Sequence, residues 1–187
     1  MTVLKNDNID KNEKILIFDA NIFLTGIDFN ILDEIIYTTP NIIKEIKIDK
    51  TNRNIINKIQ VAIETKKLRL KSPKNKFIQE IEKKSMATGD INALSKEDKE
   101  LLALTLEFLE ESDQNVKLFT NDYSMENVCS KLKIPFSPLY KEGIKSIIIW
   151  EVYCPYCKII YNPEDLSKNC EKCGLRLKRR PKRINGK

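Results

Sequence analysis

The chain has 187 residues, 41% of them hydrophobic and 32% charged, with 33 Lys and Arg against 27 Asp and Glu for a net charge of +6. That length supports one core of ordinary size plus a small appendage, not two full domains. Histidine is absent, which excludes Ser/His and Cys/His nucleophilic mechanisms and histidine metal sites, so any acid/base or metal chemistry must run on carboxylates, thiolates, Lys, Tyr or bound water.

Residues 1–13 are polar, a frayed or extended lead-in without a signal-peptide pattern. No apolar run reaches membrane-spanning length, so a cytoplasmic protein with no membrane partner is expected. Ile15 to Phe18 form a short apolar strand that ends abruptly in Asp19. A strand without polar alternation is usually buried on both faces, as in a parallel sheet flanked by helices. A carboxylate at its carboxyl end stands where open α/β sheets place their ligands. Phe29, Ile31, Leu32, Ile35 and Ile36 suggest a short helix capped by Asp28, with Tyr37-Thr38-Thr39 as a second strand or its remnant. Thr39-Pro40 opens a helix with Thr at N-cap and Pro at N1, placing Glu45 on its polar side.

Thr51 to Lys66 is helical in pattern, Leu68 and Leu70 mark a short strand, and Ser72-Pro73 starts an amphipathic helix that Thr88-Gly89-Asp90 breaks. Leu94-Ser95-Lys96-Glu97-Asp98 is the clearest helix start, with Ser95 at N-cap and Asp98 at N3, close to a capping box. Val116 to Thr120 is another apolar strand, followed at once by Asn121-Asp122. A helix over 124–131 and a strand near 134–136 close a unit that spans residues 14–140. Strands alternating with helices imply α/β with a mainly parallel sheet.

Each acid has a local explanation: Asp19 and Asp122 as helix caps, Asp98 as a favourable charge on the helix dipole, Glu45 as a solvated surface acid. Those explanations account less well for two apolar strands that each end in Asp, with Asn21 and Thr120 beside them. Clustered carboxylates raise one another's pKa unless a cation neutralises them. Oxygen-only ligands select hard ions, Mg²⁺ or Mn²⁺, which suit in-line displacement at a phosphodiester without histidine.

In order and spacing, Asp19 after its strand, Glu45 after Thr-Pro, Leu-Ser-x-x-Asp98 and Thr-Asn-Asp122 resemble the PIN-domain nucleases, a family with a compact α/β/α sandwich that cuts RNA with divalent metal. The resemblance implies catalytic metal ligation by Asp19, Glu45, Asp98 and Asp122. It gives Asn21 and Thr120 supporting or phosphate-orienting roles.

Cys154-Pro155-Tyr156-Cys157 and Cys170-Glu171-Lys172-Cys173-Gly174 are two C-x-x-C knuckles, a strong signal for tetrahedral structural Zn²⁺ over residues 147–178. Zinc supplies on the order of 10–16 kcal/mol of apparent binding energy, which a module this small needs in place of a core. Cys129 stands alone and reads as a buried small hydrophobe. After the last cysteine come Arg176, Lys178, Arg179, Arg180, Lys182, Arg183 and Lys187 with no acid. Without those seven, 26 basic residues face 27 acidic ones, so the basic character lies at the C-terminus, with 179–187 as a basic tail. Tyr156, Lys158 and this tail combine aromatic and cationic groups that stack on bases and hold phosphates. Tyr161 is expected to pack the ribbon.

A PIN unit joined through 143–150 to a zinc ribbon resembles, more narrowly, the archaeal Nin-one-binding (Nob) endonucleases of small-subunit ribosome maturation. Thr88-Gly89-Asp90, Asn121-Asp122-Tyr123-Ser124 and Asn127-Val128 fit that subgroup. The resemblance implies cleavage of precursor small-subunit rRNA to its mature 3′ end within a pre-ribosomal particle. Two alternatives stand beside it: a VapC-type PIN toxin ribonuclease, disfavoured by the ribbon, and a non-catalytic zinc-ribbon RNA-binding assembly factor. Sequence leaves the oligomeric state open.

Overall fold

A computed structural model describes residues 14–26, 28, 31–48, 53–89, 93–112, 115–139 and 149–182. The lead-in 1–13, Phe29, Thr51, Asp90, most of the connector, Arg183 and Lys187 lie outside them. The first unit alternates β1 (Lys14–Phe18), α1 (Ala20–Leu24), β2 (Ile35–Thr38), α2 (Pro40–Ile48), α3 (Arg53–Glu64), β3 (Leu68–Leu70), α4 (Asn75–Thr88), α5 (Lys96–Glu111), β4 (Asn115–Phe119), α6 (Tyr123–Leu132) and β5 (Phe136–Ser137). The five strands form one sheet in the order β3-β2-β1-β4-β5, with every neighbouring pair parallel.

β1 is central. Ile15, Leu16, Ile17 and Phe18 are all buried, so both sheet faces are covered, and each side chain contributes about 1.5–3 kcal/mol of burial. α5 is buried around most of its circumference from Leu101 to Phe108 and packs on α4, α6 and β4. Chain direction across the sheet reverses between β1 and β4. β1 leads outward through β2 to β3, whereas β4 leads to β5 on the other side. The carboxyl ends of β1 and β4 therefore flank the switch-point crevice, where open α/β sheets bind ligands.

Three local expectations are corrected. Ile35 and Ile36 belong to strand β2 and not to a helix, because the run Ile35-Ile36-Tyr37-Thr38 is β-branched and aromatic and pairs in register with β1. α4 starts at Asn75, two residues after Pro73, with Lys74 at its N-cap and no side-chain cap bond. The last strand of the sheet is Phe136–Ser137 and not 134–136, because Phe136 and Ser137 are the residues that pair with β4.

The C-terminal unit is an antiparallel sheet, β7-β6-β8, built from β6 (Trp150–Tyr153), β7 (Ile160–Tyr161) and β8 (Lys178–Pro181). Residues 179–181, assigned to a tail on composition, are strand, because Trp150 to Tyr153 supply a pairing edge from Pro181 back to Lys178. The buried core here is small: Val152, Cys154, Cys170 and Leu177. Among the described residues no helix is long and apolar enough to cross a membrane.

Candidate active site and cysteine centre

The end of β1 delivers Asp19 into the crevice. Its backbone N–H donates to the Phe119 carbonyl at 3.1 Å, which continues the β1–β4 ladder. Its side chain is 3% exposed and caps α1, with Oδ1 accepting from the Ala20 N–H at 2.6 Å. Oδ2 accepts from the Thr120 hydroxyl at 2.9 Å. That hydroxyl in turn accepts from the Asp122 N–H at 3.1 Å, so Thr120 joins the two strand-end aspartates. Asp122 caps α6, its Oδ1 accepting from Ser124 N–H at 2.6 Å and Met125 N–H at 3.2 Å.

Asp98 arrives from α5 through a complete capping box. The Ser95 N–H donates to Asp98 Oδ2 at 2.8 Å, and the Asp98 N–H donates to Ser95 Oγ at 3.0 Å. Ser95→Ala is expected to cost about 1 kcal/mol, lowering the melting temperature by about 2–4 °C in a calorimetric scan. Glu45 comes from α2, whose start is fixed by the Ile42 N–H donating to Thr39 Oγ1 at 3.3 Å. It is exposed on the rim.

A capping carboxylate normally has its pKa lowered, because N–H donors and the helix dipole favour the charged form. Asp19 goes the other way. Burial lifts it from 3.8 to about 6, and the charges of Asp98 and Asp122 push in the same direction, against the bonds from Thr120 and Ala20. Asp98 is also raised, first by burial and then by Asp122 and Glu97, despite its capping bonds to Ser95. Glu45 is raised by burial, Asp98 and Glu97. The four carboxylates thus form one electrostatic group. They do not close into a ligand cage: among the described residues, only the cysteines have their ligand atoms all within 4.8 Å of one another. An oxygen-only set of mutually repelling acids suits a hard divalent cation.

Asn21 is exposed on α1, and none of the described hydrogen bonds ties it to the carboxylates. Glu97, Ser124 and Trp150 have no site role assigned from sequence. Glu97 is the second acid in the first turn of α5, and that doubling was a readable signal.

The two knuckles are built alike. The Lys158 N–H donates to the Cys154 carbonyl at 3.0 Å and the Gly174 N–H to the Cys170 carbonyl at 2.8 Å. Both residues adopt positive φ, 63° and 73°. The Cys157 N–H points at Cys154 Sγ, 3.3 Å away, and the Tyr161 hydroxyl lies 3.1 Å from Cys170 Sγ. Tyr161 thus packs the ribbon as expected. That hydroxyl holds the Cys170 thiol down to about 6, while Cys157 is pushed up to about 12 by its contact with Cys173. Zn–S bonds of about 2.3 Å place tetrahedral sulfurs about 3.8 Å apart, so four free cysteines this close fit that ion. Cys129 is buried, its thiol pushed well above the ordinary range by burial.

The cationic and aromatic groups take separate places. Tyr156 is 75% exposed. Lys158 donates to the Pro155 carbonyl at 2.6 Å. Arg176, Lys178 and Lys182 are exposed. Arg180 pairs with Glu151 at 2.7 Å and lies over Tyr153. Arg179 lies over Trp150 and donates to Ser124 Oγ of α6 at 3.5 Å.

Residues 16–108 match the family of the PIN domain of ribonuclease, a span that contains Asp19, Glu45 and Asp98 but not Asp122. The chain is 33% identical over 168 residues to the endoribonuclease Nob1 of Methanocaldococcus jannaschii, covering 89% of this chain and 78% of that protein. It is 30% identical to the endoribonuclease Nob1 of Pyrococcus abyssi, covering 90% and 94%. Similarity to the ribonuclease VapC1 of Thermoplasma acidophilum, 33% identical, spans 60% of this chain and 54% of that one. Parallel sheet, switch-point carboxylates and near-full-length similarity agree: the chain is a PIN-domain nuclease that belongs to the Nob1 endoribonuclease family.

Proposed function

We propose that this nuclease cleaves precursor small-subunit rRNA to generate its mature 3′ end, acting in the cytoplasm on a pre-ribosomal particle. Asp19, Glu45, Asp98 and Asp122 would hold Mg²⁺ or Mn²⁺, and Cys154, Cys157, Cys170 and Cys173 would hold Zn²⁺. When bound, the divalent ion supplies Lewis acidity and positive charge for in-line displacement at phosphorus. The chain's own residues do the rest. Thr120 orients Asp19 and the Asp122 backbone together, the two helix starts fix Asp98 and Asp122, and β1 keeps Asp19 away from bulk water. The observation that carries the reading is the pair of strand-end aspartates joined through Thr120 at the switch point, in a chain similar over 89% of its length to an endoribonuclease Nob1.

Acidic groups repel phosphate, so affinity must come from the ribbon's cations, with Tyr156 stacking on a base and Lys158, Arg176, Lys178, Arg179, Arg180, Lys182 and Arg183 meeting phosphates. Arg176, Lys178 and Lys182 together changed to Ala should flatten the plot of log affinity against log salt. On single-stranded RNA the slope is expected to fall by about 0.7 for each phosphate that is no longer neutralised. An unchanged slope with full zinc content would remove these residues from the RNA-binding surface.

The capping role of each aspartate favours one competing reading, a non-catalytic RNA-binding assembly factor in which the acids only build helices. The test is cleavage of a short RNA carrying the 3′ boundary of small-subunit rRNA, in Mn²⁺ and in EDTA. A single metal-dependent cut at the boundary supports the maturation reading. Cutting elsewhere removes the assigned substrate, and no cutting by zinc-loaded protein, even on intact precursor particles, favours the assembly factor.

A further inference from the structure

The two adjacent arginines of β8 point to opposite sides of the ribbon, as alternate strand residues must. Arg180 turns to Glu151 and Tyr153 within the ribbon. Arg179, paired across from Val152, lies with its guanidinium 4.5 Å from the Trp150 ring centroid and reaches α6. There Nη2 donates to Ser124 Oγ at 3.5 Å, and the Ser124 N–H donates to Asp122 Oδ1 at 2.6 Å. A ribbon cation is therefore linked through Ser124 to a carboxylate of the nuclease site.

The seat of the ribbon on the body is specific. Gly89 ends α4 at φ 76°, and a Cβ there would lie 2.5 Å from the Trp150 carbonyl oxygen, a backbone atom with little room to yield. Only glycine accommodates both the left-handed turn and this approach. Trp150, held by that contact, is the surface on which Arg179 stacks.

The charges acting most strongly on Asp19, Glu45 and Asp98 are other carboxylates. An RNA strand entering this site brings further negative charge, so a cation at the rim has a defined task. A guanidinium offers a planar fork that meets two phosphate oxygens at once and keeps its orientation when stacked on an aromatic ring. We propose that Arg179 binds an RNA phosphate flanking the scissile one, so that the ribbon completes the nuclease site as well as tethering RNA. This deepens the nuclease reading above and rests on it.

The test is single-turnover cleavage by zinc-loaded full-length protein at saturating RNA. The substrates are oligonucleotides in which each phosphate flanking the cut is replaced, one at a time, by an uncharged methylphosphonate. Wild type, Arg179→Ala and Arg179→Lys are compared, so that a folded, charge-keeping variant is available should the alanine variant lose the ribbon. At one flanking position the wild type is expected to lose at least tenfold in rate on neutralisation, while Arg179→Ala is already slow and loses little more. Such non-additivity marks a direct contact, which a residue that only pins the ribbon would not produce. Arg179→Lys should recover part of the rate, since it keeps charge but not the fork. Gly89→Ala, which displaces Trp150 without altering a charge, should lower the saturating rate at unchanged zinc content. Equal methylphosphonate penalties in wild type and both Arg179 variants, or a full rate in Gly89→Ala, would overturn this proposal alone. Failure of the wild type to cleave any of these RNAs would overturn the nuclease reading and this proposal together.

Discussion

Asp19→Asn is expected to lower metal-dependent cleavage at least about a hundredfold while leaving the metal-free fold as stable as wild type, or more stable. The rate estimate is a lower bound, since residues that merely support a metal ligand already cost about 10–100-fold when removed, and Asp19 is proposed as a ligand itself. The stability expectation follows from the direction of its shift. Asp19 has a folded pKa near 6 against 3.8 for the ordinary group, so between those values the folded protein holds more protons than the unfolded chain. Its ionisation therefore weakens the fold as pH rises through that window, fully so above about pH 6, by about 3 kcal/mol. Below about pH 4 the penalty is absent. Asparagine cannot ionise and keeps an acceptor for the Ala20 N–H, although Thr120 must turn its hydroxyl to meet the new amide. Chemical denaturation of the metal-free proteins at pH 5 and pH 7.5 measures the difference. A mutant less stable than wild type at both values would identify Asp19 as an ordinary structural cap. The same protonation competes with a cation, so apparent Mn²⁺ affinity should rise with pH until about pH 6 and level off above it.

Cys170→Ser is the second large effect. Among the described residues the ribbon core holds four buried ones, too few to fold a unit of this size unaided. Zinc binding worth about 10–16 kcal/mol is therefore expected to decide whether β6, β7 and β8 form at all. The α/β body has its own core around β1 and α5 and should survive. Expected observations are loss of bound zinc, fast amide exchange throughout residues 150–181, and retained protection in β1, β4 and α5. Slow exchange in the ribbon of a zinc-free mutant would contradict a metal-dependent fold. Because none of the four cysteines is in a disulfide, a reductant that does not bind zinc should change nothing.

Much of this arrangement was legible in the sequence because the informative features are local. The unbroken apolar run at 15–18 announces a buried parallel strand, Val116, Leu118 and Phe119 around Lys117 mark a second strand, Ser95 with Asp98 announces a helix start, and two C-x-x-C pairs announce a metal knuckle. The error at Ile35-Ile36 arises because two residues spaced three and four from Ile31 and Leu32 mimic a helical face, and only pairing with β1 decides the matter. Composition misplaces the tail for a related reason. Charge carries no information on pairing, and Lys178 to Pro181 become strand only because β6 offers them an edge. Most hidden was what depends on two distant segments meeting. Neither Gly89 nor Trp150 reveals its partner, and Ser124 and Arg179 lie 55 positions apart. The site acids were individually ambiguous in sequence, and the capping bonds of Asp19, Asp98 and Asp122 show why: each is a genuine helix cap as well as a member of the charged group.

The most direct measurement is Mn²⁺ binding to zinc-loaded protein, followed by electron paramagnetic resonance at pH 7.5 in wild type, Asp19→Asn, Asp98→Asn and Asp122→Asn. One shared site requires that each substitution weaken the same saturable binding event while zinc content stays constant. Wild-type protein that binds no Mn²⁺ in this range, or mutants that each bind as wild type does, would show that these aspartates build helix starts and no metal site.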